Sequence, residues 1–110
     1  MNISERKHDG VIVFVLDGRI DSEGAQSLEE TLQRCFEAGD YRLILDLAGV
    51  PYINSVALRT LAEATLTCRA QGGDVKLVAL QPKVRRVLQI VGFDRYSAIY
   101  DTQEAALAAF

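Results

Sequence analysis

Apolar and polar positions follow two different patterns along the chain, and together these patterns predict nine elements. Short apolar runs predict five strands, and apolar residues at intervals of three and four predict four helices. The last four strands are separated by helices, which indicates right-handed crossovers and an α/β domain with a mostly parallel sheet. The Asp9-Gly10 pair predicts an N-terminal β-hairpin, so the sheet is mixed. The predicted strands lie at 3–7, 11–16, 42–47, 75–80 and 98–100, and the helices at about 23–38, 55–71, 82–91 and 102–110.

Each predicted helix has an apolar face that we expect to be buried. The faces comprise Ala25, Leu28, Leu32, Cys35 and Phe36 in the first helix, Leu58, Leu61, Ala62, Thr65 and Leu66 in the second, and Val84, Val87, Leu88 and Val91 in the third. Asp21-Ser22 supplies capping chemistry for the first helix. Asp101, with Glu104 three residues later, predicts a capping box for the last helix, where Leu107 and Phe110 anchor the C-terminus. The run at 11–16 predicts a strand covered on both faces.

Composition predicts an ordinary globular chain with a single domain over 1–110. Of its 110 residues 49% are hydrophobic and 25% charged, and the net charge is −3. This balance does not favour binding to nucleic acid or to an anionic membrane surface. Lys83, Arg85 and Arg86 form the one basic cluster, which we interpret as a solvated helix face. The polar first ten residues and the lack of a long apolar run predict a cytoplasmic protein without membrane insertion.

Residues that could carry enzymatic chemistry are few and badly spaced. The glycines at 18 and 24 fit neither a dinucleotide fingerprint nor a phosphate-binding loop, so weak nucleotide binding has no motif behind it. His8 stands beside the hairpin turn, where it is a poor base or ligand. Cys35 and Cys68 lie in helical patterns as buried small hydrophobes. We therefore expect a binding or signalling module rather than an enzyme, with no cofactor and no metal.

Three carboxylates, Asp17, Asp21 and Asp46, stand at or near predicted strand ends. Open α/β sheets place their sites at the carboxyl ends of the strands, so these groups could do acid–base work. Turn and cap chemistry is the simpler interpretation for all three.

The segment 43–58 carries the most specific signal in the chain. An apolar strand is followed by a Gly/Pro bend, and Asn54-Ser55 then opens a helical pattern. A hydroxyl at that point lies among free backbone N–H groups at the positive end of a helix, which favours an added phosphate. Ser55 is therefore a candidate switch, while Asn54-Ser55 as a simple helix cap is the competing interpretation. We expect Ser55 to be accessible beside the loop that carries Asp21.

Residues 46–58 resemble the STAS family, which includes bacterial anti-sigma factor antagonists. The family pattern is an apolar strand ending in Asp-Leu, a bend, an apolar pair, and then Asp-Ser-Ser/Thr-Gly-Leu at a helix start. Residues 45–50 match the strand and bend, Tyr52-Ile53 the apolar pair, Ser55 the phosphorylated residue, and Leu58 the final Leu. Further matches at 16–21, 72–78 and 82–93 extend the resemblance over the whole chain in order.

Three positions depart from the family pattern around Ser55. Asn54 replaces Asp and keeps a capping side chain without its charge. Val56 replaces the second hydroxyl residue, and Ala57 adds a methyl group where Gly allows close approach. These changes favour the alternative of a non-phosphorylated STAS scaffold, such as an accessory subunit of a transport or signalling complex.

The resemblance implies a STAS domain and an anti-sigma factor antagonist that acts by partner switching. It implies that a serine-kinase type of anti-sigma factor binds the unmodified protein and phosphorylates Ser55, and that a phosphatase resets the cycle. The sequence indicates neither the identity of the partner nor an oligomeric state. The expected partner-binding residues are Asp21, Ser22, Glu23, Gly24, Asn54, Ser55, Val56, Ala57 and Arg59.

Overall fold

A five-stranded sheet with four helices forms the computed structural model, which describes residues 1–110. The strands follow chain order across the sheet; β1 is antiparallel to β2, and the other neighbours are parallel. The predicted α/β class with its N-terminal hairpin is thereby confirmed. The strands are β1 Asn2–His8, β2 Val11–Asp17, β3 Arg42–Gly49, β4 Asp74–Val78 and β5 Ala98–Tyr100. The helices are α1 Ser22–Glu37, α2 Ser55–Ala70, α3 Pro82–Ile90 and α4 Gln103–Ala108, with a 3₁₀ turn at Phe93–Arg95.

The Asp9-Gly10 turn has the geometry that its residue types predict. Both residues have positive φ angles, 50° at Asp9 and 80° at Gly10, which match the twist of a two-residue hairpin. His8 pairs with Val11 directly beside the turn and is exposed, so its placement as a turn neighbour is confirmed.

The main core lies between one face of the sheet and the helices α1, α2 and α3. It joins 22 buried residues, with Phe14, Leu45 and Leu77 from the strands at its centre. A smaller cluster on the opposite face is covered by Ala106 of α4. Because α4 has six residues and packs on β3, β4 and β5, it leaves Val15 of β2 38% exposed, so the expectation that this strand is covered throughout is wrong there.

The buried face of α2 differs from the predicted one by about one residue position. Leu66 is 61% exposed, whereas Ala57, Ala64 and Cys68 face the core together with Leu61. The spacing 57, 61, 64, 68 is itself helical, but its small side chains gave a weaker signal than the leucines. These small residues let α2 pack against both α1 and β4.

The structure also corrects three smaller predictions. Thr102, not Asp101, caps α4, because its hydroxyl oxygen accepts a hydrogen bond from the Ala105 N–H at 3.1 Å. Val91 is 58% exposed since it follows the last residue of α3. The fourth strand ends at Val78, because Ala79 has a φ of 58° and turns the chain away. No helix of the structure has both the length and the apolar character that crossing a bilayer requires.

Candidate functional site

The connections β2–α1 and β3–α2 are held together by backbone hydrogen bonds. Ile20 and Ile53 form an isolated parallel bridge between them. The Ile20 N–H donates to the Tyr52 carbonyl at 2.8 Å, and the Asn54 N–H donates to the Ile20 carbonyl at 3.0 Å. The chain therefore places the start of α1 beside the start of α2, at the carboxyl ends of two neighbouring parallel strands.

Both helices begin with the same capping arrangement. The Asp21 carboxylate accepts a hydrogen bond from the Gly24 N–H at 3.0 Å, and the Asn54 side-chain oxygen accepts one from the Ala57 N–H at 2.8 Å. Each cap satisfies one of the backbone donors that a helix start leaves free. Asn54 is thus the cap of α2, which leaves Ser55 free of the capping role.

Ser55 is the first residue of α2 and is exposed. The first turn of α2 contains no acidic residue, so a negative charge on Ser55 would meet the positive end of the helix without a like charge in that turn. The structure therefore presents an accessible hydroxyl where an anion is electrostatically favoured.

Two arginines lie on the segments around the helix starts, Arg19 before α1 and Arg59 within α2. The Arg19 guanidinium lies 4.4 Å from the centre of the Tyr52 ring, in a cation–π contact between the two bridged connections. Arg59 lies one helical turn after Ser55, and its Nε is 3.9 Å from a Glu63 carboxylate oxygen. Neither Arg19 nor Tyr52 was among the residues predicted for the site, although Tyr52 is an exposed aromatic side chain directly before the α2 cap.

The predicted partner-binding residues divide into exposed and buried ones. Ser55, Val56 and Arg59 are exposed on α2, and Asp21, Ser22 and Glu23 are exposed at the start of α1. Asn54 is half-buried by its capping role.

Gly24 and Ala57 are buried, so neither presents an accessible side chain at this surface, and their part in partner binding stays a prediction. A Cβ at Gly24 would lie 2.8 Å from the Arg19 carbonyl oxygen, so Gly is needed there to let α1 start close to the preceding loop. Ala57 is fully buried because it begins the core-facing row of α2. The methyl group that distinguishes Ala57 from the Gly of the family pattern therefore fills the core.

An apolar groove adjoins this surface, between the first part of α2 and the segment that follows α3. It has a volume of about 370 Å³. This groove could not be predicted from the sequence, because its two sides are far apart in the chain. The residues that line it are Leu58, Arg59, Val91, Gly92, Phe93 and Tyr96.

Two of the three carboxylates at the strand ends, Asp46 and Asp21, have structural partners. Asp46 accepts hydrogen bonds from the Ala48 N–H at 3.0 Å and from the Gln103 side-chain amide at 2.7 Å, which ties β3 to α4. Asp21 caps α1, as described above. These contacts favour turn and cap chemistry over acid–base work. The chain holds no group of three His, Cys, Asp or Glu side chains that could bind a metal.

Both cysteines are buried between α1, α2 and the sheet, as the sequence predicted. Burial raises the pKa of the Cys35 thiol to about 11, with further contributions from Glu5 and Asp40. Burial raises the pKa of the Cys68 thiol to about 12, with a smaller contribution from Asp74. Both thiols therefore remain protonated at neutral pH, which makes them poor nucleophiles.

We expect the folded protein to resist thiol-specific reagents at pH 8 and the denatured protein to react at both cysteines. The same shifts predict a fall in the free energy of unfolding above pH 9, because unfolded thiols ionise at their ordinary pKa of 9.0 while folded ones hold their protons up to about 11 and about 12. The stabilisation that the two shifted thiols contribute is complete below pH 9 and is lost as the pH rises towards their pKa values in the folded protein. Denaturant titrations between pH 8 and pH 11 measure it. A Cys35→Ala variant, which keeps one thiol, should show a weaker pH dependence; an equal one would contradict the assignment.

The fold and this site define a class of small α/β binding domain that presents a serine at an exposed helix start beside a second helix start. The model of the STAS domain family matches residues 2–106, and the chain belongs to that family. The resemblance seen in the sequence is thereby confirmed.

Similar proteins include named anti-sigma factor antagonists. The chain is 34% identical over 110 residues to BtrV of Bordetella bronchiseptica, named as an anti-sigma factor antagonist; the match covers 100% of this chain and 95% of BtrV. A crystal structure of an anti-sigma factor antagonist from Mycobacterium paratuberculosis is 30% identical, with a TM-score of 0.88, and the match covers 98% of this chain and 92% of that one. A Thermotoga maritima protein described in the same terms is 25% identical, with a TM-score of 0.92 and coverage of 97% and 92%.

Proposed function

We propose that this protein is an anti-sigma factor antagonist that acts by partner switching and is controlled by phosphorylation of Ser55. The observation that carries the proposal is the exposed Ser55 hydroxyl at the start of α2, next to the exposed start of α1. The names of its similar proteins support the class of partner, an anti-sigma factor. We propose further that this partner is a serine kinase and that a phosphatase reverses the modification.

The exposed residues at the two helix starts suit a protein partner. Asp21 and Glu23 supply negative charge, Arg59 supplies positive charge, and Tyr52 and Val56 are 41% and 39% exposed apolar side chains. Aromatic and arginine side chains of this kind are enriched in protein interfaces. A partner that covers both helix starts would therefore bury Ser55 in the contact.

The chemical step needs only the hydroxyl from this chain. The Ser55 oxygen attacks the γ-phosphorus of ATP bound to the kinase, the new O–P bond forms, the bond to ADP breaks, and the hydroxyl proton passes to a base of the kinase or to water. The product carries about −1.5 to −2 charge at neutral pH and three acceptor oxygens. The helix start tolerates this charge when it is solvated, but a partner packed on it would have to desolvate it.

Incubation with a kinase-type anti-sigma factor from the same gene neighbourhood and ATP tests the proposal. We expect mass spectrometry to find one added phosphate, located on Ser55 by fragmentation, and none in the Ser55→Ala variant. Ser4→Ala is the matched control, because it removes an exposed hydroxyl from the edge strand β1 and should leave phosphorylation unchanged.

A complex with the anti-sigma factor that persists in the presence of ATP, with no phosphate appearing on Ser55, would contradict control by phosphorylation. Such a result would favour the non-phosphorylated scaffold, in which Asn54 and Ser55 serve only to start α2. Capture of transporter components in place of an anti-sigma factor would contradict the antagonist function itself.

A further inference from the structure

Arg59 lies midway between Ser55 and Glu63 on one face of α2, four residues from each. Residues four apart on a helix have Cβ atoms about 5–6 Å from each other, so the guanidinium can reach either neighbour. In the unmodified protein it points to Glu63, at 3.9 Å. Both side chains are well exposed, 71% for Arg59 and 67% for Glu63, so this is a long and solvated ion pair.

The order of base and acid along the helix is the less favourable one for the Arg59–Glu63 ion pair. On a helix an acid placed four residues before a base is better than the reverse order, in agreement with the helix dipole. Arg59 and Glu63 have the base first. A phosphate on Ser55 would create the better order, with more charge and with oxygens that a guanidinium can bind through two parallel hydrogen bonds.

We propose that phosphorylation of Ser55 draws Arg59 away from Glu63 and into an ion pair with the phosphate. The inference rests on the proposed phosphorylation and describes its consequence for the neighbouring charges. Phosphorylation then changes the partner-facing surface in two ways. It adds a negative group, and it engages the Arg59 guanidinium that an acidic residue of the partner would otherwise contact.

The other charged groups around the two helix starts are less able to form an ion pair with a phosphate on Ser55. Arg19 is stacked on the Tyr52 ring at 4.4 Å in the adjacent connection. The Asp21 carboxylate is engaged by the Gly24 N–H, and Glu23 lies in the first turn of α1, where both repel a phosphate rather than bind it. Arg59 gives up only a weak contact, which makes it the cation that moves.

Phosphoserine introduced at position 55 during translation allows a test without any kinase. We expect a phosphorus NMR titration to show a second phosphate pKa that is higher by about 0.3 unit in the Arg59→Gln variant than in the otherwise unchanged phosphoprotein. The pKa is higher in the variant because Arg59 stabilises the dianionic form of the phosphate, and its removal favours the protonated form. Glu63→Gln should lower the same pKa, since it removes the competing carboxylate, and should have no effect when Arg59 is already Gln.

Arg86→Gln is the matched control. Arg86 is an exposed arginine of α3, and its loss changes the net charge by the same amount without touching α2. Equal shifts in the Arg59 and Arg86 variants would overturn the proposed exchange, as would an effect of Glu63→Gln that persists without Arg59. These outcomes concern the phosphoprotein alone, so they are separate from a failure of the anti-sigma factor to phosphorylate Ser55.

Discussion

A phosphate on Ser55 is expected to weaken binding of the anti-sigma factor at least about 100-fold. Ser55 is exposed at the start of α2, and the bridge between the two connections brings that helix start beside the exposed start of α1. A partner packed on the start of α2 would have to desolvate the phosphate and the Arg59 guanidinium paired with it, which costs several kcal/mol, and about 2.7 kcal/mol corresponds to a factor of 100 in the dissociation constant. Titration calorimetry with phosphoserine at position 55 measures the effect, and Ser55→Glu should show part of it.

The control for this prediction carries the same charge at a different place. Ser4→Glu adds a carboxylate to the exposed edge strand β1, outside the proposed surface. Its dissociation constant should stay within about twofold of the unmodified protein, because surface charges away from an interface act only through screened long-range fields. Equal binding of the Ser55 and phosphoserine forms would show that the partner does not cover the start of α2.

The position of Ser55 could be predicted because its signals are local. An apolar strand, a Gly/Pro bend and a capping side chain at Asn54 follow one another within a few residues, and each has a known backbone preference. The Asp9-Gly10 hairpin was predictable for the same reason. The proximity of the Asp21 loop to Ser55 could also be predicted, because the carboxyl ends of adjacent strands lie side by side in a parallel sheet.

The details of the site that sequence reasoning missed depend on contacts between distant residues. Which row of α2 faces the core is decided by its fit against α1 and β4, so the buried position of Ala57 could not be read from local periodicity alone. The Arg19–Tyr52 contact requires the backbone bridge between two connections. The identity of a partner-facing residue therefore becomes visible only when the packing of its helix is known.

The Gly72-Gly73 pair leads to the second large prediction. These two glycines directly follow residue 71, where the second helix is predicted to end. Gly72 has a φ of 80°, and a Cβ there would meet no atom within 4 Å. Gly73 has no such backbone requirement, yet a Cβ on it would overlap the carbonyl oxygen of Tyr41. That carbonyl cannot move freely, because it accepts the Asp74 N–H at 3.0 Å and thereby aligns the start of β4 with β3.

We expect Gly73→Ala to lower the free energy of unfolding by about 3 kcal/mol, at the upper end of ordinary overpacking, and the melting temperature by roughly 15 °C. Gly72→Ala should cost only about 1–2 kcal/mol, the strain of a left-handed backbone with a Cβ. Denaturant unfolding of both variants measures the difference. The order is the reverse of what backbone angles alone predict, since the glycine without a positive φ is the more sensitive one. A larger loss for Gly72→Ala would mean that the approach of Gly73 to Tyr41 is relaxed by a small shift of β3 against β4, and that the pair acts only as a helix end.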